Sequence, residues 1–475
     1  QESLCLALTC VPLERAVPLG LIQTFVDEFH ADPRFVIAQN GLTSTHWRHI
    51  VCNRREIARQ THAFSKKLPD MDACNQNETG RCVLSIRVDD SRDGRRRCWL
   101  FATATLMRRA LQAKYNLDKD FEISQNFFFF WDKFEKCNYF LENILATASE
   151  SVDSRVVAHF LAEPTTDGGQ WDMAVNVVNK YGACPKNVYG ESFQTLDTDR
   201  LNFLLGAKLR DFAKALREMH AAGATADAMQ AAKRPMLQLC HRILAIHLGT
   251  PPTEFDFEVH AKDESHIRVE HMTPRTFLST VVPIDVNDYV SIVHDPRHAF
   301  DTILTVDRLG NVVEGNPIRY LNVPSDDLWK CAKAQLDANV PVWFGCDCDA
   351  DSELDAHGIY STTLYDLDAV FGTTLALDKR ERMRYHNGAM THAMVFVGYN
   401  CVGSDARPVA WKVENSWGPK RGAKGFDVMT ADWFDQHMYQ VVVHKQFLKP
   451  RHVAIWENGV PLVLPVWDPM GNCLQ

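Results

Sequence analysis

After Cys98 the apolar residues Trp99, Leu100, Phe101, Ala102, Leu106, Met107, Ala110 and Leu111 recur at three- and four-residue steps. That is the period of a buried helix stripe, and it predicts a helix opening at Cys98. Residues 390–399 and 409–418 carry a different rhythm. Both are rich in β-branched and aromatic side chains and read as strands. The polar stretch 400–408 between them predicts a hairpin turning about Gly403-Ser404. In that register His392 and Asn415 lie opposite each other.

The rest of the chain is punctuated more loosely. A short amphipathic helix is predicted over 21–26. The charge run of Arg54, Arg55, Arg59, Lys66 and Lys67 reads as a solvated helix face. The aromatic stretch 121–134 reads as packing between helices. The turn Asp167-Gly168-Gly169-Gln170 precedes a helix over 171–181, its glycines permitting close backbone approach. Residues 201–248 are helical in pattern, interrupted at 221–225 and again at Pro235, and ended by Pro251-Pro252. Strand-like runs follow at 280–282, 289–293 and 340–344.

A chain of 475 residues can bury a large core, and 46% apolar with 23% charged residues is ordinary for a globular enzyme. A net charge of −9 weighs against a general nucleic-acid role. The fourteen cysteines follow no framework of short spacings, so they read as reduced thiols of a cytoplasmic protein. Cys346-Asp347-Cys348 is the tightest pair, and with no second cluster to complete a zinc site it implies no metal. Residues 1–17 open at Gln1 with neither the basic start of a secretory signal nor the length of a membrane span. They are an unassigned N-terminal extension.

Three residues carry candidate chemistry. A thiol in the first turn of the Cys98 helix feels the positive end of the helix dipole, which favours thiolate. The bland alternative is a small buried core cysteine. His392 can take the thiol proton while the Asn415 carbonyl holds the ring. Its alternative is a structural His–Asn bond at a strand end.

Taken with Asp32-Pro33-Arg34-Phe35-Val36-Ile37-Ala38-Gln39-Asn40, Phe129-Phe130-Trp131-Asp132-Lys133, Asp167-Gly168-Gly169-Gln170-Trp171, Glu414-Asn415-Ser416-Trp417-Gly418 and Trp467-Asp468-Pro469-Met470-Gly471, the chain resembles the papain-like cysteine peptidases, and among them the bleomycin hydrolase (aminopeptidase C) family. The resemblance runs from about residue 21 to the C-terminus. It implies an α+β fold of two lobes, one helical and one antiparallel β, over 18–475 with a helical insertion near 200–250.

The resemblance also implies an oxyanion-hole Gln six residues before the nucleophile, in a segment of the form N-Q-x-x-x-G-R-C-W. Here that segment is split. Asn75-Gln76-Asn77-Glu78-Thr79-Gly80-Arg81-Cys82 matches, but Val83 follows, and the Trp-Leu-Phe helix resumes only after a second Arg-Cys, Arg97-Cys98. Cys82 keeps the spacing to Gln76; Cys98 keeps the helix and Trp99. The charged stretch 83–97 reads as a solvated loop or a retained non-coding segment.

Further site residues follow from the family. Gly168 and Gly169 would pair with the substrate backbone, and Trp417 would shield the His392–Asn415 bond. The C-terminal Gln475 would anchor the substrate's α-amino group, although the ending Asn-Cys-Leu-Gln departs from the family's small residues. The implied function is aminopeptidase action on peptides and related amides, including bleomycin and homocysteine thiolactone. It would proceed without cofactor or metal, in a homohexameric ring apart from any membrane. The alternative is an impaired homologue that only binds peptides or nucleic acid.

Overall fold

Cys98 is the first residue of the helix Cys98–Tyr115, whose first twelve residues are all buried, as is Leu111. The computed structural model describes residues 17–60, 62–69, 74, 97–348, 350–353, 357–403 and 406–472. Arg108 and Arg109 lie in the buried part of this helix. A buried guanidinium requires a carboxylate partner, and one residue serves both. Glu414 takes Arg108 Nη2 on one oxygen and Arg109 Nη2 on the other, each at 2.5 Å.

The aromatic stretch becomes the helix Gln125–Ala146, capped by the Ser124 hydroxyl accepting from Phe127 N. Its phenylalanines pack in the core as expected. Asp132, Lys133 and Lys136 are buried among them. The helix Trp171–Tyr181 follows the glycine turn. Residues 201–248 form two helices, Asp199–Ala221 and Ala226–Leu248, parted where the small residues predicted it. Pro235 does not break the second helix but lies inside it. Residues 280–282 are not a strand. Thr273 and Thr276 form a capping box, Pro274 occupies the first turn, and the helix Pro274–Thr280 carries the chain into buried Val281 and Val282.

The large sheet runs, edge to edge, through Leu462–Leu464, Thr302–Val306, Tyr320–Asn322, Tyr289–Val293, Met438–His444, Val342–Cys346, His392–Asn400, Ala410–Glu414, Phe426–Thr430, Ile359–Tyr360 and Ser352–Glu353. Most neighbours are antiparallel; three pairings, at Leu462–Leu464, Tyr320–Asn322 and Ile359–Tyr360, are parallel. Lys66 and Lys67 belong to this sheet, facing Tyr399 and Gly398, not to a helix face. The central strands, Val342–Cys346 and His392–Asn400, are buried nearly throughout, so they are continuous apolar runs with no polar alternation.

The chain divides into two compact units, Gln1–Arg59 with Thr363–Ala376, and Gln60–Thr362 with Leu377–Gln475. The smaller contains the helices Leu19–Ala31, longer than the predicted 21–26, and Pro33–Leu42, neither with a buried residue. Asn53 N donates to Leu364 O at 2.7 Å and Asp366 N to Val51 O at 2.9 Å, closing this unit on itself.

Candidate active site

The helix that begins at Cys98 packs against the strand His392–Asn400, and the Ala393 N–H donates to Cys98 Sγ at 3.3 Å. The sulfur therefore lies at the backbone of the residue that follows His392. His392 is buried. Its Nε2 meets Asn415 Oδ1 at 3.1 Å, and the Trp417 indole stacks on the ring, centroids 4.9 Å apart at 26°. Cys98, His392, Asn415 and Trp417 are thus gathered in one crevice.

The register that achieves this differs from the predicted one. Val395 faces Glu414 and Asn400 faces Ala410, with an irregularity between Phe396 and Gly398. His392 and Asn415 are consequently diagonal neighbours across the strand ends, a separation that an imidazole and an amide can bridge.

The thiol also departs from expectation. Burial pushes Cys98 up to about 12, while the backbone N–H groups of Ala393, Trp99 and Cys98 itself pull it down. The helix start alone does not make a thiolate in so dry a crevice; a proton acceptor has to share the work.

Gln76 and Cys82 lie outside the described residues, as does 83–96, but both flanks of that stretch are held. Cys74 O accepts from Gly418 N at 2.9 Å. Cys74, Phe101, Ala102, Ala393, Asn415 and Ser416 line one small void. At the other end Arg97 is not solvated. It is buried, ion-paired to Glu191 at 2.9 Å, with its guanidinium over the rings of Phe101 and Phe129.

The Gly168-Gly169 turn is fastened to the Cys98 helix. Trp99 Nε1 donates to Asp167 O at 2.9 Å, and a Cβ on Gly169 would stand 2.6 Å from the indole. Lys136 Nζ donates to Gly168 O at 2.6 Å and Thr166 O at 3.0 Å. Despite burial, Lys133 at 2.5 Å, Thr198 and Asn202 hold the Asp167 carboxyl down to about 2. The C-terminal segment arrives at the same turn. Arg297 grips Asp468 with two nitrogens, and Gln170 Nε2 donates to Asn472 O at 3.1 Å. A cavity of about 500 Å³ lies between this segment, the turn and the aromatic helix, with Lys136, Thr166, Met173, Trp467 and Asn472 in its walls. Gln475 lies outside the described residues.

Sequence reasoning missed one polar group in the crevice. Asp427 Oδ2 accepts from Asn415 Nδ2 at 3.0 Å. It sits in the buried strand Phe426–Thr430, where only a charged residue amid apolar neighbours could have signalled it. Among the described residues no group of three or more His, Cys, Asp or Glu is placed to hold a metal ion.

The sequence model of the Peptidase C1-like family matches residues 17–92 and 85–471. The chain belongs to the Peptidase C1-like family. The two matched pieces meet within 83–97, the stretch that separates the two Arg-Cys pairs. The chain is 38% identical over 447 residues to aminopeptidase C of Streptococcus thermophilus, covering 94% of this chain and 96% of that one. Aminopeptidase C of Listeria monocytogenes is 42% identical over 378 residues, covering 79% of this chain and 84% of its own. Human bleomycin hydrolase is 36% identical over 462 residues, 95% of this chain and 97% of that protein. Among solved structures, PepW of Lactobacillus rhamnosis superposes with a TM-score of 0.90 at 39% identity, covering 96% of this chain and 99% of the other.

Proposed function

We propose that the protein is a cysteine aminopeptidase in which Cys98 is the nucleophile, His392 the base and Asn415 its orienting partner. One observation carries this: a single crevice brings Cys98 Sγ to the Ala393 N–H and His392 Nε2 to Asn415 Oδ1. With Nε2 engaged by Asn415, the imidazole takes the thiol proton at Nδ1. Because burial holds the Cys98 thiol high, thiolate forms as that proton moves. The sulfur attacks the carbonyl carbon of the N-terminal peptide bond. The imidazolium returns the proton to the leaving amine as the C–N bond breaks, and water then hydrolyses the thioester.

The oxyanion is held by the Cys98 N–H and by Gln76. Cys74 is fixed beside Asn415, and two further residues of extended chain span at most about 7 Å. That reach extends from Cys74 to the crevice of Cys98, which supports Gln76 as the donor. Losing one oxyanion donor costs about 3–4 kcal/mol of barrier.

Gly168 and Gly169 receive the substrate backbone. Trp417, stacked on His392, keeps water from the imidazole–amide bond. The segment 466–472 lies beside the glycine turn, and the role given to the Gln475 carboxylate is to meet the substrate's α-amino group, which limits cleavage to chain ends. Substrates of this kind include the bleomycin amide and homocysteine thiolactone. The assembly is a homohexameric ring in the cytoplasm. The peptidase domain spans 18–475, in two lobes, with about 200–250 as its helical insertion and 1–17 as an extension.

Separate Cys98→Ala and Cys82→Ala proteins test this against an aminoacyl-coumarin substrate. Cys98→Ala loses turnover by at least about 10³-fold, and Cys82→Ala keeps it. Rapid alkylation by iodoacetamide in mild acid disappears only in the first. If turnover follows Cys82 instead, the nucleophile is misassigned. If the unaltered protein shows neither turnover nor a fast thiol, the protein is a binding ring and not an enzyme. Light scattering checks the hexamer.

A further inference from the structure

Resting on the peptidase function proposed above, we propose that Asp427 is a positioning residue of the site, the fourth member of a line running Cys98, His392, Asn415, Asp427. An asparagine amide has two ends of nearly equal shape, one a donor and one an acceptor. Only the acceptor end can hold the imidazole with its proton on Nε2 and leave Nδ1 to serve the thiol. Were the amide reversed, its NH₂ would face Nε2, the ring would carry its proton on Nδ1, and the base would be blocked.

Two neighbours forbid the reversal. Asp427 Oδ2 lies 3.0 Å from Asn415 Nδ2, and a carboxylate accepts only. Ser416 N donates to Asn415 Oδ1 at 2.8 Å. Each demands the same orientation, and Asp427 does so from outside the local backbone.

Asp427 is itself built in. It is buried, it pairs in register with Val413 beside the Asn415 segment, and its other oxygen lies against two glycines. A Cβ on Gly358 would stand 2.3 Å from Asp427 Oδ1, and one on Gly422 2.4 Å from it. Both glycines have positive φ, +64° and +52°, so this backbone wrap suits no residue with a side chain.

The test exchanges donor and acceptor. Asp427→Asn presents Asn415 with a partner that can donate or accept, so only the Ser416 N–H still favours one orientation of the amide. We expect kcat to fall about 10- to 100-fold with KM changed less than about twofold. The double variant Asn415→Asp with Asp427→Asn restores the polarity: a carboxylate faces Nε2 and an amide donates to it from behind. It recovers at least half of the logarithmic loss in kcat. Both are measured per titrated active site, which removes unfolded protein from the comparison, with Cys98→Ala as the zero. If Asp427→Asn keeps full kcat per site, or if the exchange deepens the loss, Asp427 is only structural and the proposal falls. If activity in the unaltered protein does not depend on Cys98, the assignment of the nucleophile fails instead.

Discussion

Single atoms decide whether Cys98 can react. Its sulfur is pushed toward the neutral thiol by burial and drawn back by three backbone N–H groups. The indole of the next residue, Trp99, sets the shape of the neighbouring turn. Gly169→Ala would put a methyl into that ring, 2.6 to 2.8 Å from its atoms. The ring must then move and loosen its bond to Asp167 O. The expected result is a stability loss of about 1–3 kcal/mol, read from the denaturant midpoint, with a raised KM for peptides.

At this scale the sequence was informative where chemistry and pattern coincide. Cys98 was legible because a helical period starts at it. His392 and Asn415 were legible because each lies at the end of an apolar run. Asp427 and Lys136 were not. Each is a polar residue inside a buried element, and its purpose lies in a partner on another segment, 12 residues away for Asp427 and 32 for Lys136, that no local pattern reveals.

Elements are tied to each other by a few buried charges. Glu414 is gripped by both arginines of the Cys98 helix, and Arg109 also donates to Pro69 O at 3.0 Å. One carboxylate thus registers the Cys98 helix, the strand leading to Asn415 and the segment leading to Cys74. Removing it strands two buried cations. Glu414→Ala is expected to cost about 3–5 kcal/mol in urea unfolding, more than removal of any exposed pair such as Lys214–Glu218. Individual helices and the His392 hairpin were foreseeable from periodicity. Their register was not, because the irregularity at Phe396–Gly398 shifts the pairing without a mark in the apolar pattern. The sheet order was beyond reach for a similar reason. Its neighbours Val342–Cys346 and Met438–His444 are nearly a hundred residues apart, and nothing local specifies that they meet.

For the whole molecule, buried ionisable groups shape the response to pH. Asp172, in the first turn of the helix Trp171–Tyr181, is raised by burial to about 7, against the Arg319 N–H and guanidinium that lower it. Between about pH 4 and 7 the unfolded chain has released this proton while the folded chain retains it. The folded state binds more protons there, so this stabilising contribution is full below pH 4 and fades as pH rises to 7. Asp172→Asn should remove that slope. The stability of the variant relative to the unaltered protein should climb by on the order of a few kcal/mol between pH 4 and 7.5, measured by urea unfolding at each pH.

Arg97, locked to Glu191 and sandwiched by two phenyl rings, has a twin in the sequence. Arg81 also stands immediately before a cysteine. Excising 82–97 would join Arg81 to Cys98 and hand the helix a junction of the same chemistry. The longer chain and its shortened form would then share one anchor, and the added length could come or go as a single cassette without redesign of the enzyme around it.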